Sequence, residues 1–141
     1  MLVGLVTAGC GGTGRPSTKA EYQAKVEQTV ERISKQLGSS AGSDIDTLTN
    51  RDLTTVYWAF RNLAAGLNGI RPPAEVADLH PRLVGAIRDL ADEFPNLART
   101  VQHTKDPDAA FAALFGAKAI QELGVLDQAF KARGYDLEIN G

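Results

Sequence analysis

The chain has few of the residues that build metal and redox sites. Its 141 residues include one cysteine, one methionine and two histidines. A single cysteine excludes an internal disulfide and the paired-cysteine spacing of a zinc site. The histidines, His80 and His103, lie about six turns apart on one predicted helix, a separation of ~35 Å that prevents them from sharing a metal ion. We therefore expect no metal site and assign no cofactor.

The charges are nearly balanced, with 15 Lys and Arg against 17 Asp and Glu, and aromatic residues make up 6% of the chain. No basic stretch carries interleaved aromatic residues, which is the pattern that binds nucleic acid, so we predict no nucleic-acid partner. Long apolar runs are also missing. A membrane-spanning helix needs about 20 apolar residues, and no segment provides them.

The motifs of catalysis are missing as well. The chain has no His-Glu-x-x-His pattern, and the Gly-rich run at 9–14 lacks the Lys-Ser/Thr ending of a phosphate-binding loop. Asp89, Asp92 and Glu93 share the polar face of a predicted helix with Arg88. That arrangement is typical of a solvated surface, whereas paired catalytic acids lie in a pocket that perturbs their pKa values. We predict a protein that is not an enzyme.

One short stretch, Leu-Val-Thr-Ala-Gly-Cys at 5–10, carries a specific signal. Small side chains before a cysteine let an extended backbone enter a lipoprotein signal peptidase, and the Cys10 sulfur then takes a diacylglycerol. In Ala8, Gly9 and Cys10 the chain resembles the lipobox of bacterial lipoproteins. Thr7 stands where that family usually has Leu, and no Lys or Arg precedes the stretch, although a secretory signal begins with positive charge.

The lipobox resemblance implies cleavage before Cys10 and anchoring through its acyl chains, which bury enough methylenes for stable attachment. Residues 1–9 are then a truncated signal segment, 10–17 a flexible Gly-rich tether, and 18–141 the helical domain. The missing basic start leaves two explanations: the true start lies upstream, or this stretch is a loose tail and Cys10 an ordinary thiol. We expect lipidation, and hence an extracytoplasmic protein at the outer face of the cytoplasmic membrane.

The rest of the chain is patterned for helices. Apolar residues recur at spacings of three and four in four successive segments, as expected for helices that bury one face. The start and stop signals of these segments are Thr18 with Glu21, Gly38, Thr49 or Asn50, Pro73, Asp106 with Pro107, and Gly134. We predict an all-α fold, an up-and-down four-helix bundle.

Two of the predicted helices contain interruptions. Pro81 and Pro95 lie in the third, where each removes a backbone hydrogen bond and is expected to bend the helix; alternatively, Pro81 marks its true start. In the fourth, apolar clusters on either side of Gly116 favour a short helix over 107–115 and a longer one after it, rather than one rod. The apolar residues of the tail at 135–139 alternate, and we expect the tail to fold back on the bundle.

The assembled pattern looks like a group of small actinobacterial-type lipoproteins of unassigned role. The likeness lies in Val-Thr-Ala-Gly-Cys ending at Cys10, the Lys-Ala-Glu-Tyr opening of the first helix, the Ile-Arg-Pro-Pro-Ala-Glu-Val turn with the Leu-His that follows, and the Arg-Gly-Tyr-Asp-Leu ending. The resemblance implies a secreted, lipid-anchored helical bundle. It implies no activity.

Trp58 is the candidate interaction residue, because it points away from the apolar stripe of the second helix. We expect a neighbouring helix or the tail to cover it; otherwise it is a partner surface or rests at the lipid interface. Tyr22, Tyr57 and His80 are the candidates for binding a small ligand, since bundle cores commonly hold cofactors. For His80, a hydrogen-bonded core role is the expectation.

These observations together predict a lipid-anchored interaction or structural module of the cell envelope, with the membrane and an envelope protein as its partners. The alternative is a carrier or sensor that holds a small ligand, a haem or a metal in the bundle core, close to His80.

Overall fold

The computed structural model describes residues 15–38 and 49–137, and in these ranges the chain forms α-helices and no strand. The helices are α1 (Lys19–Leu37), α2 (Asn50–Asn68), α3 (Leu79–His103), α4 (Pro107–Gly116) and α5 (Lys118–Ala132), with a 3₁₀ helix at Ala74–Val76. The predicted all-α class is confirmed. Cys10 and the signal segment lie outside the described residues.

The first helix begins and ends at its predicted signals, and the second begins at its predicted cap, Thr49. Thr18 Oγ1 accepts a hydrogen bond from the Glu21 backbone N–H, and Glu21 Oε2 accepts one from the Thr18 N–H at 2.9 Å. Thr49 forms the same capping box with Asp52 at the start of α2. Gly38 ends α1 with a φ of 50°, in the left-handed region that glycine adopts without strain.

The third helix begins later than Pro73. A 3₁₀ helix and a turn occupy 74–78, and α3 starts at Leu79. Pro81 therefore lies in the first turn, where a missing N–H costs no helical hydrogen bond. The prediction that Pro81 bends the helix is wrong, and the alternative, that it marks the helix start, is confirmed. Pro95 stays inside α3.

The fourth predicted segment consists of two helices. Asp106 caps α4 by accepting a hydrogen bond from the Asp108 N–H at 3.0 Å. After Gly116, the extended residue Ala117 separates α4 from α5, and the two helices are bent by 64° relative to each other. The prediction of two helices rather than one rod is confirmed.

The core lies where α2 packs against α1 and α3, and where α3 also packs against α5. Burying one large apolar side chain stabilises the fold by about 1.5–3 kcal/mol. The largest fully buried side chains are Tyr22, Val26, Leu67, Val76, Leu83, Leu126 and Phe130. The tail closes one side, since Tyr135 and Leu137 are buried against this cluster, which confirms the predicted fold-back for 135–137.

Candidate functional site

His80 and Tyr22 meet in the core. Tyr22 Oη lies 2.9 Å from His80 Nδ1, and His80 Nε2 lies 3.0 Å from the Leu67 carbonyl oxygen. A carbonyl only accepts, so Nε2 carries the proton, and Nδ1 accepts a hydrogen bond from the Tyr22 hydroxyl. Burial lowers the pKa of His80 and raises the pKa of Tyr22. Both side chains are therefore neutral at pH 7.

This geometry gives His80 a structural task. Both ring nitrogens of His80 are already hydrogen-bonded. The hydrogen bond from Nε2 to the Leu67 carbonyl joins the start of α3 to the last turn of α2. The Tyr22 ring packs edge-on to His80 with a centroid distance of 5.6 Å and stacks on Phe130 at 6.4 Å. Within the described ranges, no group of three or more His, Cys, Asp or Glu side chains is placed to hold a metal ion.

Tyr57 lies apart from His80 and Tyr22. Along α2, position 57 precedes Leu67 by ten residues, which is about 15 Å of helix. The half-buried Tyr57 ring instead meets the Trp58 ring edge-on at a centroid distance of 5.2 Å, and the Arg61 guanidinium lies 6.0 Å from the Tyr57 centroid. The structure thus brings Tyr22 and His80 together and places Tyr57 elsewhere.

Trp58 is 57% exposed within the described part of the chain. The described part of the tail, up to residue 137, does not cover it, because Tyr135 packs on Tyr22 and the Gln23 amide donates to the Asp136 carbonyl at 3.0 Å. The expectation that a neighbouring helix or the tail covers Trp58 is therefore wrong for the residues that the structure describes. The helical phase that points Trp58 away from the apolar stripe of α2 is confirmed.

A cleft of about 420 Å³ lies between the first half of α2 and the second half of α3. Trp58 is not among the residues that line it, but the Trp58 ring contacts the ring of Tyr57, which does line it. It is lined by Asn50, Leu53, Thr54, Tyr57, Pro95 and Arg99, and we call it the Tyr57 cleft. The sequence does not group these residues. They meet because α2 packs on α3 in one particular register, which no local pattern specifies.

Two other clefts open on the described surface. One, also of about 420 Å³, lies between α1 and the tail and contains the carboxylates of Glu27 and Asp136. The other, of about 330 Å³, lies between α3 and α5 and contains the ion pair of Arg82 and Glu122, whose N and O atoms are 2.6 Å apart. Neither of these two is lined by an aromatic residue, so the Tyr57 cleft differs from them in chemistry more than in size.

Among the described residues, no single helix has the length and apolar character needed to cross a membrane; α4 and α5 meet that requirement only as a bent pair. Comparisons of the chain with protein-family models, curated proteins and solved structures find no match.

Proposed function

We propose that the chain is a lipid-anchored lipoprotein of the cell envelope, held at the outer face of the cytoplasmic membrane through acyl chains on Cys10. Its task there is that of a non-enzymatic interaction or structural module. The observation that carries the anchor is the Leu-Val-Thr-Ala-Gly-Cys stretch at 5–10, followed directly by a Gly-rich segment. An acylated cysteine supplies the two chains that stable membrane attachment requires.

An up-and-down four-helix bundle, with α4 and α5 as its divided fourth member, is part of this proposal. The Ser17 N–H donates to the Arg71 carbonyl, which joins the start of α1 to the end of α2. His80 at the start of α3 bonds Leu67 at the end of α2, and Arg133 after α5 donates to a carboxylate just before α3. Helices that alternate in direction bring their ends together in this way.

The exposed Trp58 supports the interaction role. A large aromatic side chain that stays 57% exposed offers apolar area that a partner can remove from water, and aromatic residues are enriched where proteins bind one another. Several carboxylates of the described helices lie on the surface in ion pairs, such as Asp92 with Arg61 at 3.7 Å. Carboxylates in surface ion pairs are typical of a solvated surface and not of a catalytic pocket, which agrees with a non-enzymatic role.

A carrier centred on His80 is the second proposal, and it has less support. A ligand that bound the His80 ring would have to break its hydrogen bond to Tyr22 or to Leu67. Loss of the first bond leaves the buried Tyr22 hydroxyl without its partner, and loss of the second removes a contact between α2 and α3. The envelope module requires no such rearrangement.

Mass spectrometry of the protein isolated from the membranes of its host tests the anchor. We expect a chain that begins at Cys10 and carries added acyl mass, because the peptidase cleaves only after the cysteine is modified. Cys10→Ala should remain uncleaved and without acyl mass. Thr7→Leu is the matched control, since it restores the usual lipobox residue and should be processed at least as completely. An unmodified Cys10 in a protein that stays in solution would overturn the proposal.

A further inference from the structure

We propose that the Tyr57 cleft binds a saccharide chain, with the Trp58 ring as the surface on which one sugar ring stacks. This inference rests on the proposed function, because it names the chemistry of the envelope partner. It depends on three features: the exposed Trp58 ring, which contacts the Tyr57 ring at the wall of the cleft, polar side chains in the cleft with unused hydrogen-bonding capacity, and the chemistry that separates this cleft from the two others described above.

The Trp58 ring is exposed and also oriented. Its edge-on contact with the Tyr57 ring has an interplanar angle of 78°, a favourable geometry for two aromatic rings. A ring that is oriented before binding loses less freedom when a ligand covers it. The carbon-bound hydrogens on one face of a sugar ring suit the electron-rich face of an indole, and their contact removes apolar surface from water.

The walls of the cleft carry polar groups that suit a molecule rich in hydroxyls. The Asn50 amide and the Tyr57 hydroxyl both donate and accept hydrogen bonds. The Arg99 guanidinium has five N–H donors, and its one side-chain partner in the described structure is Asn96 Oδ1, 3.3 Å from Nη1. Buried Leu53 supplies an apolar floor. A few polar groups around an apolar floor are the usual composition of a small-molecule site.

The charge in the cleft narrows the ligand class further. Among the described residues that line the Tyr57 cleft, Arg99 is the one that carries a charge. A positive guanidinium disfavours a cationic ligand and tolerates a neutral or anionic one. The cleft between α1 and the tail has the same volume but two carboxylates and no aromatic residue, so volume alone does not select a site. A neutral saccharide offers hydroxyl groups to the polar side chains of the cleft and an apolar ring face to its apolar floor and to the aromatic ring.

Because Trp58 is the single tryptophan of the chain and its ring contacts Tyr57, its fluorescence reports on binding at that wall of the cleft. The test titrates the full chain, produced without lipid as Cys10→Ala, with chitotetraose and with maltoheptaose. We expect a saturable change in Trp58 emission with at least one of them. Arg99→Ala and Asn50→Ala should each weaken binding by about tenfold, the usual consequence of losing a hydrogen bond to a ligand. Gln23→Ala, in the cleft between α1 and the tail, is the matched control and should bind normally.

No saturable change with either saccharide up to about 10 mM would overturn the proposal, since weaker binding is not specific. Equal affinities for the wild-type, Arg99→Ala and Asn50→Ala chains would do so as well. A third arm uses phosphatidylglycerol vesicles: a change in Trp58 emission with vesicles alone would assign the ring to the bilayer instead. All three arms use a protein without acyl chains, so their outcome is independent of the mass measurement at Cys10.

Discussion

Replacing Gly66 with alanine should destabilise the protein, even though alanine is the better helix former. Gly66 lies in α2 where that helix faces α1. A Cβ at this position would lie 2.8 Å from Thr29 Cγ2 and 3.2 Å from Arg32 Nη2. Carbon atoms pack best at about 3.5–4.0 Å, so the added methyl group must displace Thr29 or push the two helices apart.

Thr29 has little freedom to move away. Its side chain is 8% exposed, and its Oγ1 donates to the Lys25 carbonyl at 2.7 Å, which holds its rotamer. Adding atoms to a packed contact costs about 1–3 kcal/mol, whereas replacing Gly by Ala inside a helix gains about 1 kcal/mol. We therefore expect Gly66→Ala to lower the free energy of unfolding by ~1 kcal/mol.

Gly124→Ala in α5 is the matched control, because nothing lies within 4 Å of the added Cβ. It should raise the free energy of unfolding by about 1 kcal/mol. The assay is urea unfolding followed by far-ultraviolet circular dichroism. Thr29→Ser removes Cγ2 and keeps the hydroxyl, so in that background Gly66→Ala should become neutral or stabilising. If Gly66→Ala alone stabilises as much as Gly124→Ala, α1 and α2 do not approach closely at this point.

Two further predictions concern His80. Tyr22→Phe leaves Nδ1 buried without a donor and should lower the free energy of unfolding by about 1–3 kcal/mol; an unchanged value would exclude the hydrogen bond. Burial lowers the pKa of His80 in the folded protein below its value of 6.5 in the unfolded chain. The unfolded state therefore binds more protons than the folded state, and the free energy of unfolding falls as the pH drops below 6.5. Urea midpoints at about pH 7.5 and 5 should show this loss. His80→Gln should diminish it, and exposed His103→Gln should not.

Local signals predict most helix ends because a cap is a contact between near neighbours. Thr18 with Glu21 forms the box that their spacing predicts, and Thr49, one of the two predicted caps of α2, forms a box with Asp52. The start of α3 is different, because Pro73 begins a 3₁₀ turn as readily as an α-helix. In the structure the turn places Val76 fully in the core before α3 begins. Whether a 3₁₀ turn or an α-helix follows Pro73 depends on tertiary packing, about which the local sequence carries no information.

The partners of His80 depend on the whole fold. Its helical phase predicts a core residue, and the structure buries it to 6% exposure. Tyr22 and Leu67, however, are 58 and 13 residues away in sequence. They reach the imidazole only through the packing of α1 and α2 against α3. The sequence therefore predicts that His80 needs hydrogen-bond partners, and tertiary structure decides which ones.

The exposure of Trp58 follows from where α5 ends. Arg133 binds Asp78 at the start of α3, so the tail begins beside the end of α2 that contains Leu67. Trp58 lies nine residues earlier, about 14 Å back along α2. From its starting point the tail runs toward α1, and the Tyr135 ring packs edge-on against the rings of Tyr22 in α1 and Phe130 in α5. The described tail residues therefore lie at the Leu67 end of α2, away from Trp58.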